Sequence, residues 1–302
     1  MMLDPLTVLV LGGGPDRERP VSLRSAAAVA AALRRAGHEV IEADVLPEDT
    51  HALDQPCDVV FPLLHGPFGE GGPLQHLLEA RHLAYVGSGP QASAVAMDKI
   101  AAKRVAVEQG LLTPPWQLLQ STGELELPPP MVIKPVDDGS SFGVSICRDR
   151  TSASSAAAEV IAAHGRALAE GFVEGKEITV GIVGDRVLPP IEVVPRAGFY
   201  DYQAKYEADD TEYRFEIDLP AATVERLGLD AWRAYDAVGC RHLGRVDFMV
   251  DADFQLWFLE INTLPGFTDH SLLPMAAAKT GWDMPRLCDH LVRLAAEAHP
   301  GR

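Results

Sequence analysis

Between Gly244 and Pro274 the chain reads GRVDFMVDADFQLWFLEINTLPGFTDHSLLP, and four of its residues, Arg245, Asp247, Glu260 and Asn262, have the types and spacing for cation and anion chemistry. Arg245 to Val250 alternates polar and apolar residues, Asp251-Ala252-Asp253 is a turn signal, and Gln255 to Ile261 forms a second arm. Side chains two apart on a strand share a face. If Val250 pairs with Gln255, the antiparallel register sets Arg245 opposite Glu260 and Asp247 opposite Phe258, and all four polar side chains project from one side. Two carboxylates and an amide oxygen suit a hard cation such as magnesium, which takes phosphate oxygens as its remaining ligands. The same spacing also suits a surface hairpin with solvated acids. Thr263-Leu264-Pro265-Gly266 then forces a turn whose backbone amides can approach an anion, with Ser271 and Leu272 following ahead of Pro274.

The elements that must position this hairpin follow from the rest of the chain. A length of 302 residues is enough for two or three small domains. Acidic residues number 43 against 26 basic, and a net charge of −17 with no basic block disfavours nucleic acid and anionic membranes as partners. The four cysteines are scattered without a C-x-x-C pair, which excludes a disulfide framework or zinc site as the organising device. MMLDPLTVLVL lacks a basic n-region and is too short in its apolar part for a signal peptide or membrane span, so a cytoplasmic location is expected.

Thr7 to Leu11 reads as a strand, Gly12-Gly13-Gly14 as a turn, and Ser22 to Ala36 as a helix with Ser22 as N-cap: the opening of a doubly wound α/β domain. Further strands are expected at His38 to Ala43 and Asp58 to Leu63, and a single helix from Ala92 to Gln109. Met131 to Pro135 and Val144 to Cys147 are strands flanking the loop Asp137-Asp138-Gly139-Ser140-Ser141-Phe142-Gly143. This is not a Walker P-loop, because no helix follows the glycines. An Ala-rich helix from Ser152 to His164 comes next, then a hairpin of Ile178 to Val183 with Val187 to Val194. After it lies an aromatic and basic loop, Phe199 to Tyr206, of the kind that closes over a site. Ala222 to Cys240 and the segment from Met275 onward are helical.

The pattern GRVDFMVD…FLEINTLPGFTDHSLLP resembles the C-terminal signature of D-alanine–D-alanine ligases, which are ATP-grasp enzymes, and further motifs follow in family order from Gly13 to about Leu294. The resemblance implies an α/β ATP-grasp fold with three domains: an N-terminal doubly wound substrate domain (1–88), a central domain with the glycine loop (89–170) and a C-terminal domain with lid and metal site (171–302). It implies ATP and Mg2+ (or Mn2+) as cofactors, D-alanine as substrate, and a homodimer. ATP would meet Lys99, Lys134, Ser140, Ser141 and Lys205, with Glu170, Phe172 and Val173 at the adenine and Glu177 at the ribose. Asp247, Glu260 and Asn262 would hold the metal. Glu18, Ser140 and Tyr206, with His65 and Tyr202, would hold the first substrate. Arg245 and Gly266 would stabilise the oxyanion, and Ser271 and Leu272 would take the second carboxylate. Gly71, Pro73 and the Asp137-Asp138 pair depart from the family pattern, which leaves open an ATP-grasp ligase joining a different acid to a different amine or hydroxy acid.

Overall fold

The computed structural model describes residues 4–139, 142–195, 211–268 and 270–298. Strand β1 (Thr7–Leu11) leads through the glycine turn to helix α1 (Arg19–Arg35), then β2 (Glu39–Ala43) and β3 (Val59–Pro62), which form a parallel sheet in the order β2-β1-β3. β1 and β3 are apolar on both faces because both are covered. Val8, Val10, Val59 and Phe61 pack into the cluster that contains α1, whereas Leu9, Leu11 and Val60 pack with Leu74 and Leu78. Those two leucines sit on α3 (Pro73–Ala80), which follows the short α2 (Gly66–Glu70).

Helix α1 begins at Arg19, three residues before the expected start. Pro20 occupies its first turn, where a missing N–H costs nothing and φ is already set. Ser22 is therefore not the N-cap. Its buried hydroxyl donates to the Leu63 carbonyl (2.6 Å) and accepts from the Gly13 amide (2.8 Å), tying the glycine turn to the end of β3. Gly13 has φ +105° and a Cβ there would strike the Asp44 carboxylate, so no other residue fits this turn without strain.

The single helix expected over 92–109 is two: α4 (Pro90–Met97) and α5 (Lys99–Glu108). Asp98 is extended, and its carboxylate accepts the amides of Ile100 (2.9 Å) and Ala101 (3.0 Å), capping α5 and ending the run of α4. Next come β4 (Trp116–Leu119), β5 (Met131–Pro135), β6 (Ser145–Cys147), α6 (Arg150–His164) and β7 (Ala167–Gly171). The strands form an antiparallel sheet ordered β4-β7-β5-β6, against which the alanines of α6 pack closely.

The largest sheet contains β8 (Lys176–Val183), β9 (Arg186–Val187), β10 (Ile191–Val194), β11 (Glu212–Arg214), β12 (Leu243–Val250) and β13 (Leu256–Asn262), in the order β11-β10-β8-β12-β13 with β9 beside β8. The strand expected over 187–194 is divided because Pro189 and Pro190 have no N–H for the ladder. Helices α4, α5 and α7 (Ala221–Val238) bury one face of this sheet. The chain ends with α8 (Leu272–Lys279) and α9 (Met284–Glu297). Leu287, Leu291 and Val292 of α9 share a core with Val10, Val29 and Phe61, and the His38 ring meets Asp289 at 2.8 Å, so the last helix lies against the first sheet. Among the described residues, no helix is long and apolar enough to cross a membrane.

Candidate active site

The hairpin β12–β13 places Arg245 opposite Asn262 and Asp247 opposite Glu260, not opposite Glu260 and Phe258 as the assumed register required. Val250 pairs with Leu256, and a bulge falls between the Asp247 and Phe248 pairs. A bulge sets one extra residue in one strand. Here the extra residue is Leu259: Phe258 and Ile261 are buried in the core, while Leu259 and Glu260 both face the cleft. The irregularity leaves Arg245, Asp247, Glu260 and Asn262 grouped on the site side.

Asp247 is held on several sides. Arg245 grips it through Nε (3.0 Å) and Nη2 (2.8 Å), and Thr179 of β8 donates to the same carboxylate. Asn262 accepts the Leu264 amide through Oδ1 (3.0 Å). Lys99 Nζ lies 3.7 Å from Glu260 and donates to the Asp138 carbonyl (2.5 Å), so the first residue of α5 links the carboxylate hairpin to the glycine loop. Among the described residues, no group of three or more His, Cys, Asp and Glu side chains could hold a metal ion; the candidate set contains two carboxylates and one amide oxygen.

Two cavities meet here. The smaller, about 100 Å³, is lined by Glu18, His65, Glu70, Asn262, Gly266 and Ser271 among others. The larger, about 380 Å³, runs between the four-stranded and six-stranded sheets and is lined by Val132, Phe142, Ile146, Phe172, Met249 and Leu259 together with Lys134, Glu177 and Asp247. Lys99, Asp138, Gly139, Arg245, Glu260 and Leu272 line both. Asp247 therefore belongs to one side of the shared wall, Asn262 to the other, and Glu260 to the wall itself.

In the smaller cavity, Glu70 is buried and accepts the Gly66 amide (3.0 Å). Burial, reinforced by the neighbouring Glu18, pushes its carboxyl up to about 8. His65 Nδ1 lies 3.9 Å from Glu70, and its Nε2 is buried with no hydrogen-bond partner among the described residues. Burial, with Arg245 nearby, brings the imidazole down to about 4, which keeps it neutral at pH 7. The Gly139 end of the glycine loop approaches Glu18 so closely that a Cβ would sit 3.3 Å from its carboxylate. Ser271 accepts the Thr268 amide (2.8 Å), and Ser25 of α1 accepts that of Phe267 (3.2 Å), which anchors the turn carrying Gly266.

In the larger cavity, Lys134 of β5 contacts Glu170 of β7 at 2.6 Å. Burial disfavours both charges, but Glu170 and Glu260 outweigh it at Lys134, whose ammonium is raised, and Lys134 and Lys103 outweigh it at Glu170, whose carboxyl is lowered. Glu170 thus has a lysine on each side, an engagement that its expected position at an adenine edge does not include. Phe172, Val173 and Glu177 line the same cavity. Ser140, Ser141, Tyr202, Lys205 and Tyr206 lie outside the described residues. Sequence reasoning passed over Glu70, Lys103 and Thr179. Lys103 could have been found from its place one helical turn after Lys99, which sets both on one face of α5; Thr179 gives no sign until β8 pairs with β12.

A glycine loop and the buried Lys134 on one sheet, with the buried Lys99 at the start of α5, facing a carboxylate hairpin on another sheet, define an ATP-grasp enzyme. Family models described as D-ala D-ala ligase C-terminus and D-ala D-ala ligase N-terminus match residues 110–293 and 42–88. This chain belongs to the D-alanine–D-alanine ligase family. It is 44% identical to the D-alanine–D-alanine ligase of Bordetella avium, covering 92% of this chain and 91% of that one, and 42% identical to that of Dechloromonas aromatica, covering 96% and 97%. Among solved structures it resembles the D-alanine–D-alanine ligase from Bacillus anthracis complexed with ATP, with TM-score 0.86 and 30% identity over 98% of this chain and 99% of that one. It also resembles the VanG D-Ala:D-Ser ligase from Enterococcus faecalis, with TM-score 0.85 and 25% identity over 97% and 100%.

Proposed function

We propose that this chain joins two D-alanines into D-alanyl-D-alanine with ATP, through an acyl phosphate, to supply peptidoglycan synthesis. The observation that carries the reading is the wall shared by the two cavities: a mostly apolar cleft of nucleotide size opens, past two lysines and an arginine, onto a small pocket lined by acids and backbone amides. A carboxylate in the small pocket would meet the terminal phosphate at that wall.

In the first step a carboxylate oxygen of one D-alanine bonds to the γ-phosphorus and the bond to ADP breaks. In the second, the neutral amine of the other D-alanine attacks the acyl carbon and inorganic phosphate leaves. Positioning and charge stabilisation supply most of the rate enhancement in such transfers. Lys99 and Lys134, joined by Lys205 and the Ser140-Ser141 amides and hydroxyls, bind the phosphates; Glu170, Phe172 and Val173 take the adenine, and Glu177 the ribose. Glu18, Ser140, Tyr206, Tyr202 and His65 orient the first substrate. Arg245, whose guanidinium carries five donors of which Asp247 takes two, stabilises the oxyanion with the Gly266 amide. Ser271 and the start of α8 at Leu272 bind the second carboxylate.

The all-oxygen set of Asp247, Glu260 and Asn262, placed along the shared wall, fits a hard cation. Magnesium, with manganese as substitute, would supply charge neutralisation on the phosphates there. Three working units, residues 1–88, 89–170 and 171–302, a cytoplasmic location and a homodimer complete the proposal. A phosphate-release screen over D-alanine, L-alanine, D-serine and D-lactate with ATP tests it. Release with D-alanine alone supports the reading, and release that requires another acid or amine refutes it.

A further inference from the structure

Lys103 has a fully buried side chain and is not among the residues that line either cavity, yet it is tied to the wall of the larger one. Its Nζ donates to Thr113 Oγ1, which in turn donates to the Phe258 carbonyl of β13 (2.8 Å). The same ammonium forms an ion pair with Glu170 Oε1, while Glu170 Oε2 meets Lys134 at 2.6 Å. The Trp116 ring lies 5.8 Å from Lys103 Nζ and closes its remaining side. Two ammonium groups thus share one carboxylate. Of these three charged groups, Lys134 and Glu170 line the cleft and Lys103 does not.

A lysine paired one to one with a buried carboxylate presents no net charge to a polyphosphate, and the carboxylate repels it. We propose that Lys103 is a positioning residue that neutralises Glu170 from behind, so that Lys134 keeps a net positive charge for the nucleotide phosphates. The proposal rests on the nucleotide reading of the cleft. Burial draws the Lys103 ammonium down to about 8 against the opposing pull of Glu170, so it is mostly protonated at neutral pH, as the role requires.

Calorimetric titration of the full-length chain with ADP and with adenosine tests it. Wild type should bind ADP more tightly than adenosine; failure to bind either overturns the nucleotide reading and the proposal with it. Lys103→Met should weaken ADP by about tenfold or more while leaving adenosine within about twofold, because only the phosphates sense the unbalanced Glu170. The double variant Lys103→Met/Glu170→Gln removes both charges and should restore the ratio of ADP to adenosine affinity to within about threefold of wild type, adenosine alone reporting whatever Glu170 contributes at the adenine. Equal weakening of ADP and adenosine in Lys103→Met would mark a merely structural lysine, and a double variant whose ratio is no higher than that of the single one would overturn the charge-balance account. If Lys103→Met does not fold, the double variant decides: a ratio within about threefold of wild type supports the proposal and any greater loss contradicts it.

Discussion

Glu70 and His65 face each other at 3.9 Å in the small cavity, and both are neutral at pH 7 for the same reason, the loss of water around them. Because the Glu70 carboxyl is raised from 4.5 to about 8, its contribution to stability is fully present below about 4.5 and is lost as pH rises through about 8. Glu70→Gln keeps the acceptor for the Gly66 amide and has no proton to lose. Between pH 6 and 9 the wild type should lose roughly 2–3 kcal/mol more unfolding free energy than Glu70→Gln. Parallel pH profiles from chemical denaturation would show that Glu70 titrates normally. On the hairpin, Glu260→Gln removes a negative charge from the shared wall and Asp247→Asn one from beside it, and in each turnover should fall by about a hundredfold or more with unchanged circular dichroism. Near-normal phosphate release at low magnesium from either would remove the hairpin from the chemistry. The grouping of Arg245, Asp247, Glu260 and Asn262 was legible because a strand repeats every two residues. The pairing of Lys103 with Glu170 was not, since it joins a helix to a distant strand and leaves no mark on the spacing of either.

Local periodicity located most elements and misplaced three features that depend on a single residue. The hairpin register is shifted by one residue at the turn, where Val250 pairs with Leu256, and by one more at the Leu259 bulge, which alternation within one arm cannot reveal. Pro20 reads as loop although it lies in the first turn of α1. Asp98 split a helix because its carboxylate serves the amides of Ile100 and Ala101 better than an unbroken turn would. That last break matters to the site, because it makes Lys99 the first residue of α5. Asp98→Ala should cost about 1 kcal/mol of stability, and by loosening the first turn it should raise the KM for ATP more than it lowers kcat. Asp98→Asn, which still caps, should lie nearer to wild type in both. An unchanged KM in Asp98→Ala would separate the cap from the placement of Lys99.

Over the whole molecule, the last helix closes on the first sheet. The amphipathic pattern of the C-terminal segment was readable, but its partner was not, because the contacts span nearly the whole chain. Leu291 of α9 is fully buried in the cluster that contains Val10 and Phe61. Leu291→Ala should therefore cost about 2–5 kcal/mol in chemical denaturation, and a loss below about 1 kcal/mol would show that α9 docks weakly. The packing matters because the small cavity combines Glu18, His65 and Glu70 from the N-terminal region with Asn262, Gly266 and Ser271 from the C-terminal one, a site that neither region forms alone. The chemistry proposed for this site is transfer of phosphate to a carboxylate. D-alanine labelled with 18O in its carboxylate, incubated with the enzyme, ATP and magnesium, tests this directly by mass spectrometry. D-alanyl-D-alanine should form with one 18O passed to inorganic phosphate for each peptide bond; dipeptide accompanied by unlabelled phosphate, or no dipeptide at all, would rule out an acyl phosphate.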